Sequence, residues 1–343
     1  MFSENILLKM NKNLFLFSLI LLIFTSCKTN KFDIDISNVD LILDFKRFDL
    51  EFSELNKQNI YLKIPDLEKN YGYFFQLYNN EIIGIGNPSE IEYPDKVYEF
   101  HIYCSSSGLN NYVEKTFPST DSIENVLTNA FKHYKYYFPE KLIPRIFTCI
   151  SAVGMSVFTT DSVIGISLDK YLGKNCIIYS QLGIDQYMKF KMEKNMIGVD
   201  CMRAWAMGEF PFNDSVNTLL SNIVYEGRIQ YFLDAMLPET NDTLKWGYSN
   251  QQYSWVESYE KEVWDYMVEQ KIIFTNVIID IKTFTGDAPF TTPFHNNSAP
   301  RAGVYIGYQI VKSYMDNNKN ITIKELMEIT DYNLIYNSSR YNP

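Results

Sequence analysis

The chain has 343 residues, enough for one large domain or two. Its 41 acidic residues against 31 basic ones give a formal net charge of −10, which excludes a nucleic-acid binder, because phosphate binding needs clustered cations. Aromatic residues reach 16%, with 26 Tyr and 24 Phe, and that composition excludes a disordered chain.

The first predicted element is the apolar run Leu14 to Phe24, with Lys9 and Lys12 ahead of it. It falls short of the roughly 20 residues that a transmembrane helix needs and suits the core of a secretory signal peptide. The run ends in Phe24-Thr25-Ser26-Cys27, an apolar-x-small-Cys pattern. This resembles the lipobox of bacterial lipoproteins, in which the cysteine thiol is lipidated and becomes the mature N-terminus. The resemblance implies a signal peptide over residues 1–26, a lipid anchor with palmitate-type chains on Cys27, and a polar tether over 28–38. A plain signal peptide with an incidental cysteine, or a short membrane anchor, is the alternative. Two or more acyl chains, at about 0.8 kcal/mol per buried CH2, hold a protein stably on a membrane. Met10 opens a complete signal by itself, so translation starts at Met1 or Met10. No later segment reaches transmembrane length without charges.

Beyond the tether, Val39 to Phe52 reads as a strand leading into a helix start. Leu67 to Gly86 reads as an aromatic helix followed by a turn, and Val97 to Cys104 as a strand or a helix end. Thr120 or Asp121, with Glu124 nearby, has the form of a capping box. Ile123, Val126, Leu127, Ala130, Phe131 and Tyr134 then follow at helical spacing. The pattern changes at "IPRIFTCIS", "GMSVFTT" and "SVIGISLDKYL", which read as three neighbouring strands. After Gly173 helices return over about Asp185 to Gly208, Ser215 to Met236, Gln251 to Lys271 and Ala302 to Asn317, and Ile323 to Ile329 closes the chain. Gly303 and Gly307, at i and i+4, leave room for another helix to approach closely. The expected fold is α+β, a single domain over 39–343 with a small mixed sheet in the N-terminal half and a mainly helical C-terminal half.

Familiar catalytic patterns are missing. HExxH, GxSxG, Walker A and GxGxxG do not occur, and the three histidines, His101, His133 and His295, are scattered. Cys104, Cys149, Cys176 and Cys201 are widely and irregularly spaced, without a CxxC. One or more disulfides, or buried free thiols, are both compatible with that spacing.

Several segments taken together, "KRFD", "YYFPEKLIPRIFTCIS", "SLDKYLG", "FPFNDSVNTLLSNIVYEGRIQYFLDAMLP", "SYEKEVWDYMVEQKIIF" and "SAPRAGVYIGYQIVKSYM", resemble the GldB family of gliding motility lipoproteins of Bacteroidetes. The resemblance implies a lipid-anchored envelope protein that acts beside the gliding and type IX secretion machinery, with no enzymatic activity, cofactor or metal. Partners would be the membrane, through the anchor, and other envelope proteins of that machinery. The Lys28-Thr29-Asn30-Lys31 start of the tether lacks an acidic cluster, so the periplasmic face of the outer membrane is expected, with the inner membrane second.

That family is distantly similar to zinc proteases of the zincin type, which implies a zincin-like scaffold with a degenerate site. Aligned on Glu226, the zinc-binding histidines become Cys201 and Trp205, and the catalytic Glu becomes Met202. The implied cleft residues are Cys201, Met202, Trp205, Glu226 and Arg301, with "SVIGISLDKYL" as the sheet edge and a Glu226 to Arg301 pair. The alternative reading is an envelope metallohydrolase with an atypical site. Separately, Asp-Ser and Asp-Thr pairs followed by an aliphatic residue resemble O-glycosylation sites of Bacteroidetes, with Ser122, Ser162, Ser215 and Thr243 as acceptors. Helix caps and turns use the same pairs.

Overall fold

The computed structural model describes residues 30–343; the expected signal peptide over 1–26 and the expected lipidation site Cys27 lie outside the described residues. Residues 30–34 form a short turn, and Asp35–Pro343 make a separate compact unit that holds every element below. Among the described residues no helix is long and apolar enough to cross a membrane.

Runs of β-branched and aromatic residues form a mixed sheet of β1 (Phe45–Lys46), β2 (Arg145–Cys149), β3 (Val157–Thr159) and β4 (Val163–Ser167). The spatial order is β1-β2-β4-β3. The β1–β2 and β2–β4 pairs are parallel, and β3 runs antiparallel to β4. All five residues of β4 are buried, as expected of a strand covered on both faces. β4 is therefore an interior strand, which corrects its expected place at the edge. The edge beside it is β3, a short strand with half-buried ends.

One face of the sheet carries an aromatic layer. It is supplied by α1 (Phe48–Ser53), α2 (Ile60–Tyr71), α3 (Tyr73–Leu77) with the π-turn Tyr78–Ile82, and α4 (Tyr93–Ser106). Phe48 meets Phe74 edge-on at 5.1 Å and Tyr78 at 4.9 Å, and Phe74 stacks on Phe158 at 5.8 Å. Such pairs each contribute about 0.5–1.5 kcal/mol beyond their buried area. Gly165 belongs to this layer, because a Cβ there would collide with the Phe158 ring. Val97 to Cys104 lies inside α4, with Pro94 in its first turn, where the missing N–H costs nothing.

The helical half begins with α5 (Leu109–Thr116) and α6 (Asp121–Tyr137) ahead of β2, followed after the sheet by α7 (Ile177–Gln181), α8 (Gln186–Lys189) and α9 (Ile197–Glu209). Next come α10 (Leu219–Met236), α11 (Asp242–Trp246), α12 (Asn250–Ser258), α13 (Glu260–Glu269), α14 (Ile278–Thr285), α15 (Ala302–Asn317), α16 (Ile323–Glu328) and α17 (Tyr332–Ser339). The expected Gln251 to Lys271 helix breaks at Tyr259, and α17 rather than α16 closes the chain. The capping box at Thr120 does not form: Ser119 Oγ accepts the Asp121 N–H at 3.0 Å instead.

α10 is the axis of this half. It is buried at nearly every position and packs against α6, α9, α11 and α14 to α17. Apolar residues all round mark such a central helix. A true capping box starts it, with Thr218 and Ser221 exchanging hydrogen bonds. Its closest neighbour is α15. A Cβ on Gly227 would collide with the Gly307 backbone, and one on Gly307 with the Ile223 carbonyl. The glycine pair in α15 thus admits α10 at backbone contact. Arg228, on the next position of α10, is buried between the rings of Tyr225 and Tyr332, each 5.5 Å from its guanidinium. It donates to the carbonyls of Leu326 and Ile329, which end α16. Cys104, Cys149, Cys176 and Cys201 are buried free thiols.

The glycine crossing and the buried Arg228 generate three stability predictions. Gly307→Ala drives a Cβ into the α10 backbone at Ile223 and Val224 and costs about 3 kcal/mol or more. Gly303→Ala meets Phe284 Cβ at 2.7 Å, on a short helix that can shift, and costs less. Arg228→Leu leaves two carbonyls without a charged donor and lowers stability by about 2–3 kcal/mol. Urea unfolding followed by circular dichroism ranks all three variants.

Candidate functional site

A cleft of about 350 Å³ opens beside β3, within the range typical of ligand sites. Its walls are the start of β3, the turn after β4, the α8–α9 region, α11 and the residues Asp287 and Arg301. α9 supplies one face: Val199, Asp200, Arg203, Ala204 and Met207 line the cleft, a spacing that puts them along one side of a helix.

The opposite side of α9 carries Cys201, Met202, Trp205 and Ala206, all buried. The expected cleft residues Cys201, Met202 and Trp205 thus sit in the interior, where the Trp205 ring packs near Phe131 and Tyr134 at 6.2 and 6.4 Å. Glu226 and Arg301 do reach the region but do not pair with each other. Arg203 takes Glu226 at 3.1 Å and also donates to Gln230 Oε1 at 2.8 Å. Arg301 donates to the Trp246 carbonyl at 2.8 Å and lies 3.4 Å from Asp287. The physical reason is rotation about α10. Glu226 is one residue, or about 100°, from Gly227, which faces α15, so its carboxylate turns toward α9.

The charges of the cleft are strongly perturbed. Burial raises the Asp200 carboxyl above the usual range, against the hydrogen bond it accepts from Tyr171 Oη at 2.8 Å. Burial also pulls the Arg203 guanidinium down, opposed by Glu226. Lys191 is pulled down by burial and then by the charge of Arg301. Burial acts to raise Asp287, but Lys191 at 2.6 Å and Arg301 outweigh it and hold the carboxyl below its usual range. Lys245 is buried too, yet Asp234 at 2.5 Å and Asp242 at 2.8 Å keep its pKa raised.

This arrangement suits anion binding better than metal binding. Among the described residues no three His, Cys, Asp or Glu side chains converge as a metal site, and no histidine lines the cleft. On α9 the cleft carries a guanidinium, which repels a dication and already holds Glu226. Of the cleft charges, Asp200, Arg203, Lys191 and Asp287 were not singled out from sequence. Asp200 and Arg203 left a trace, since they stand three residues apart in the otherwise apolar "IGVDCMRAWAM".

The Asp-Ser and Asp-Thr pairs lie apart from the cleft walls. Ser122, Ser162 and Ser215 are exposed and Thr243 is half-buried. Asp121, Asp214 and Asp242 each open a helical element, while Asp161 and Ser162 make the β3–β4 turn.

Compared with protein-family models, residues 29–343 match the one described as gliding motility protein GldB, a lipoprotein family. No curated protein and no solved structure matches the chain. With nearly its whole length matched, this chain belongs to the gliding motility protein GldB family.

Proposed function

We propose that the chain serves gliding as a lipid-anchored, non-catalytic binding component of the envelope machinery, held by Cys27 on the periplasmic face of the outer membrane. The cleft beside β3 is its docking groove for an extended segment of a partner protein. The observation that carries this reading is the Arg203–Glu226 pair, in which a fixed guanidinium stands on the cleft face of α9.

On a zincin-like scaffold the metal would sit between the helix beside the edge strand and a Glu of the next long helix. Here α9 packs against β3, and Glu226 comes from α10. Between them lies a positive charge, and Val199 and Asp200 beside it supply one carboxylate and no imidazole. The residues present do not fit zinc.

The edge strand supports peptide docking. Thr160 N donates to Val163 O and Ser167 N to Ser156 O, so residues 156 and 160 turn their backbone groups toward β4. In an antiparallel pair this alternation turns Val157 and Thr159 outward. Val157 lines the cleft, and its free N–H and C=O offer a template for β-addition.

The reading is tested in a gliding cell of this family whose own gene is replaced. Ala204→Trp fills the cleft and should abolish gliding, with protein level and melting temperature unchanged. Normal gliding by that variant would remove the cleft from the function. One zinc per full-length chain, with cleavage of casein or of peptidoglycan peptides, would establish a hydrolase instead. Ser122, Ser162, Ser215 and Thr243 belong to the same envelope reading as O-glycan acceptors, and mass spectrometry of native protein should find them modified; bare peptides at all four would remove them.

A further inference from the structure

We propose that the docking groove selects a carboxylate on its partner segment, and that Asp287 is the chain's own occupant of that carboxylate site, displaced when the partner binds. This rests on the groove reading above and names the chemistry of its ligand.

The site already holds a carboxylate. Asp287 bridges Lys191 at 2.6 Å and Arg301 at 3.4 Å. The exposures of the three side chains are unequal. Asp287 is 59% exposed, whereas Lys191 is 25% and Arg301 11% exposed. Two largely buried cations thus depend on a carboxylate that sits mostly in solvent. Exchanging that carboxylate for another keeps both cations paired, while leaving them without an anion is costly.

Other charges around the cleft are satisfied from behind the wall. Arg203 is held by Glu226, and Lys245 by Asp234 and Asp242. Lys170 reaches the Val153 carbonyl at 3.4 Å. Asp200 faces Tyr171. Asp287 stands on a segment without helix or strand, between α14 and α15, and it can withdraw without unfolding an element.

Arg301 is fixed for this role. It adopts a left-handed backbone at φ 51°, ahead of α15, and its Nη2 is anchored on the Trp246 carbonyl. A non-glycine residue in that region is strained, and here the strain aims a guanidinium at the cleft. An extended segment on β3 would bring alternate side chains toward Lys191 and Arg301. A glutamate side chain or a free chain end would then supply the incoming carboxylate.

The test uses the full-length chain in detergent and three N-acetylated fluorescent hexapeptides, read by anisotropy. The first is Val-Thr-Val-Glu-Val-Thr with an amidated end. The second replaces Glu by Gln, and the third is the Gln peptide with a free C-terminus. Binding of the first or third about tenfold tighter than the second supports the proposal and identifies the carboxylate source. Asp287→Asn should tighten that favoured peptide about tenfold, and Lys191→Met should erase the preference for a carboxylate over an amide. A destabilised Asp287→Asn with unchanged affinity would make Asp287 a structural counter-ion and overturn the latch. Equal binding of all three peptides would overturn carboxylate selection and leave the groove intact. Binding of none would overturn the groove itself.

Discussion

The backbone contact between α10 and α15 is the constraint on which the cleft depends. Gly227 and Gly307 leave no room for a Cβ at the crossing, so the two helices meet at one place and one rotation. Glu226 precedes Gly227, and Arg301 lies just before Gly303. Fixing the crossing therefore fixes the carboxylate that holds Arg203 and the guanidinium that closes the far wall. Charged side chains on long stems could adopt many rotamers, and their convergence needs a rigid base. Glycine supplies it by removing the side chains that would let the helices slide.

A second layer of order comes from buried ions. Arg228, Arg203 and Lys245 are taken out of water, and each is matched to acceptors held by other elements. Removing charges from water is expensive, and a matched pair roughly recovers that cost without adding much stability. What such pairs add is uniqueness. Arg228 closes the end of α16, Arg203 ties α9 to α10, and Lys245 ties α11 to α10. The apolar surface of α10 alone would tolerate several rotations of its neighbours. The ion pairs accept one.

Local signals account for the parts of this fold that were legible in the sequence. Ala302 to Asn317 was readable to the residue, because Pro300 before it and an unbroken apolar period mark its limits. Gly303 and Gly307 announced a close helix approach, and the three short strands stood out as β-branched runs between turns. Val97 to Cys104 was ambiguous, since "VYEFHIYC" is aromatic and β-branched yet has Pro94 ahead of it to start a helix. The all-apolar run of β4 marks an interior strand, and the edge belongs to the shorter β3. The cleft was least legible. Arg203 finds Glu226 across 23 positions, and Lys191 finds Asp287 across 96. Which side of α9 faces them depends on packing against β3, which spacing along one helix does not reveal.

Anchoring and docking reinforce each other on the proposed reading. Residues 28–34 span at most roughly 25 Å when fully extended, so a lipidated Cys27 confines the folded unit to a thin shell at the membrane surface. A partner fixed in the same membrane then meets the cleft at an effective concentration far above its average in the compartment. Under that condition a modest groove affinity is enough, and a strong one would hinder release. A latch such as Asp287 fits this regime. By competing with the partner's carboxylate it weakens binding, and it keeps Lys191 and Arg301 paired whenever the groove is empty. The same group that lowers affinity thus keeps the two cations matched between binding events.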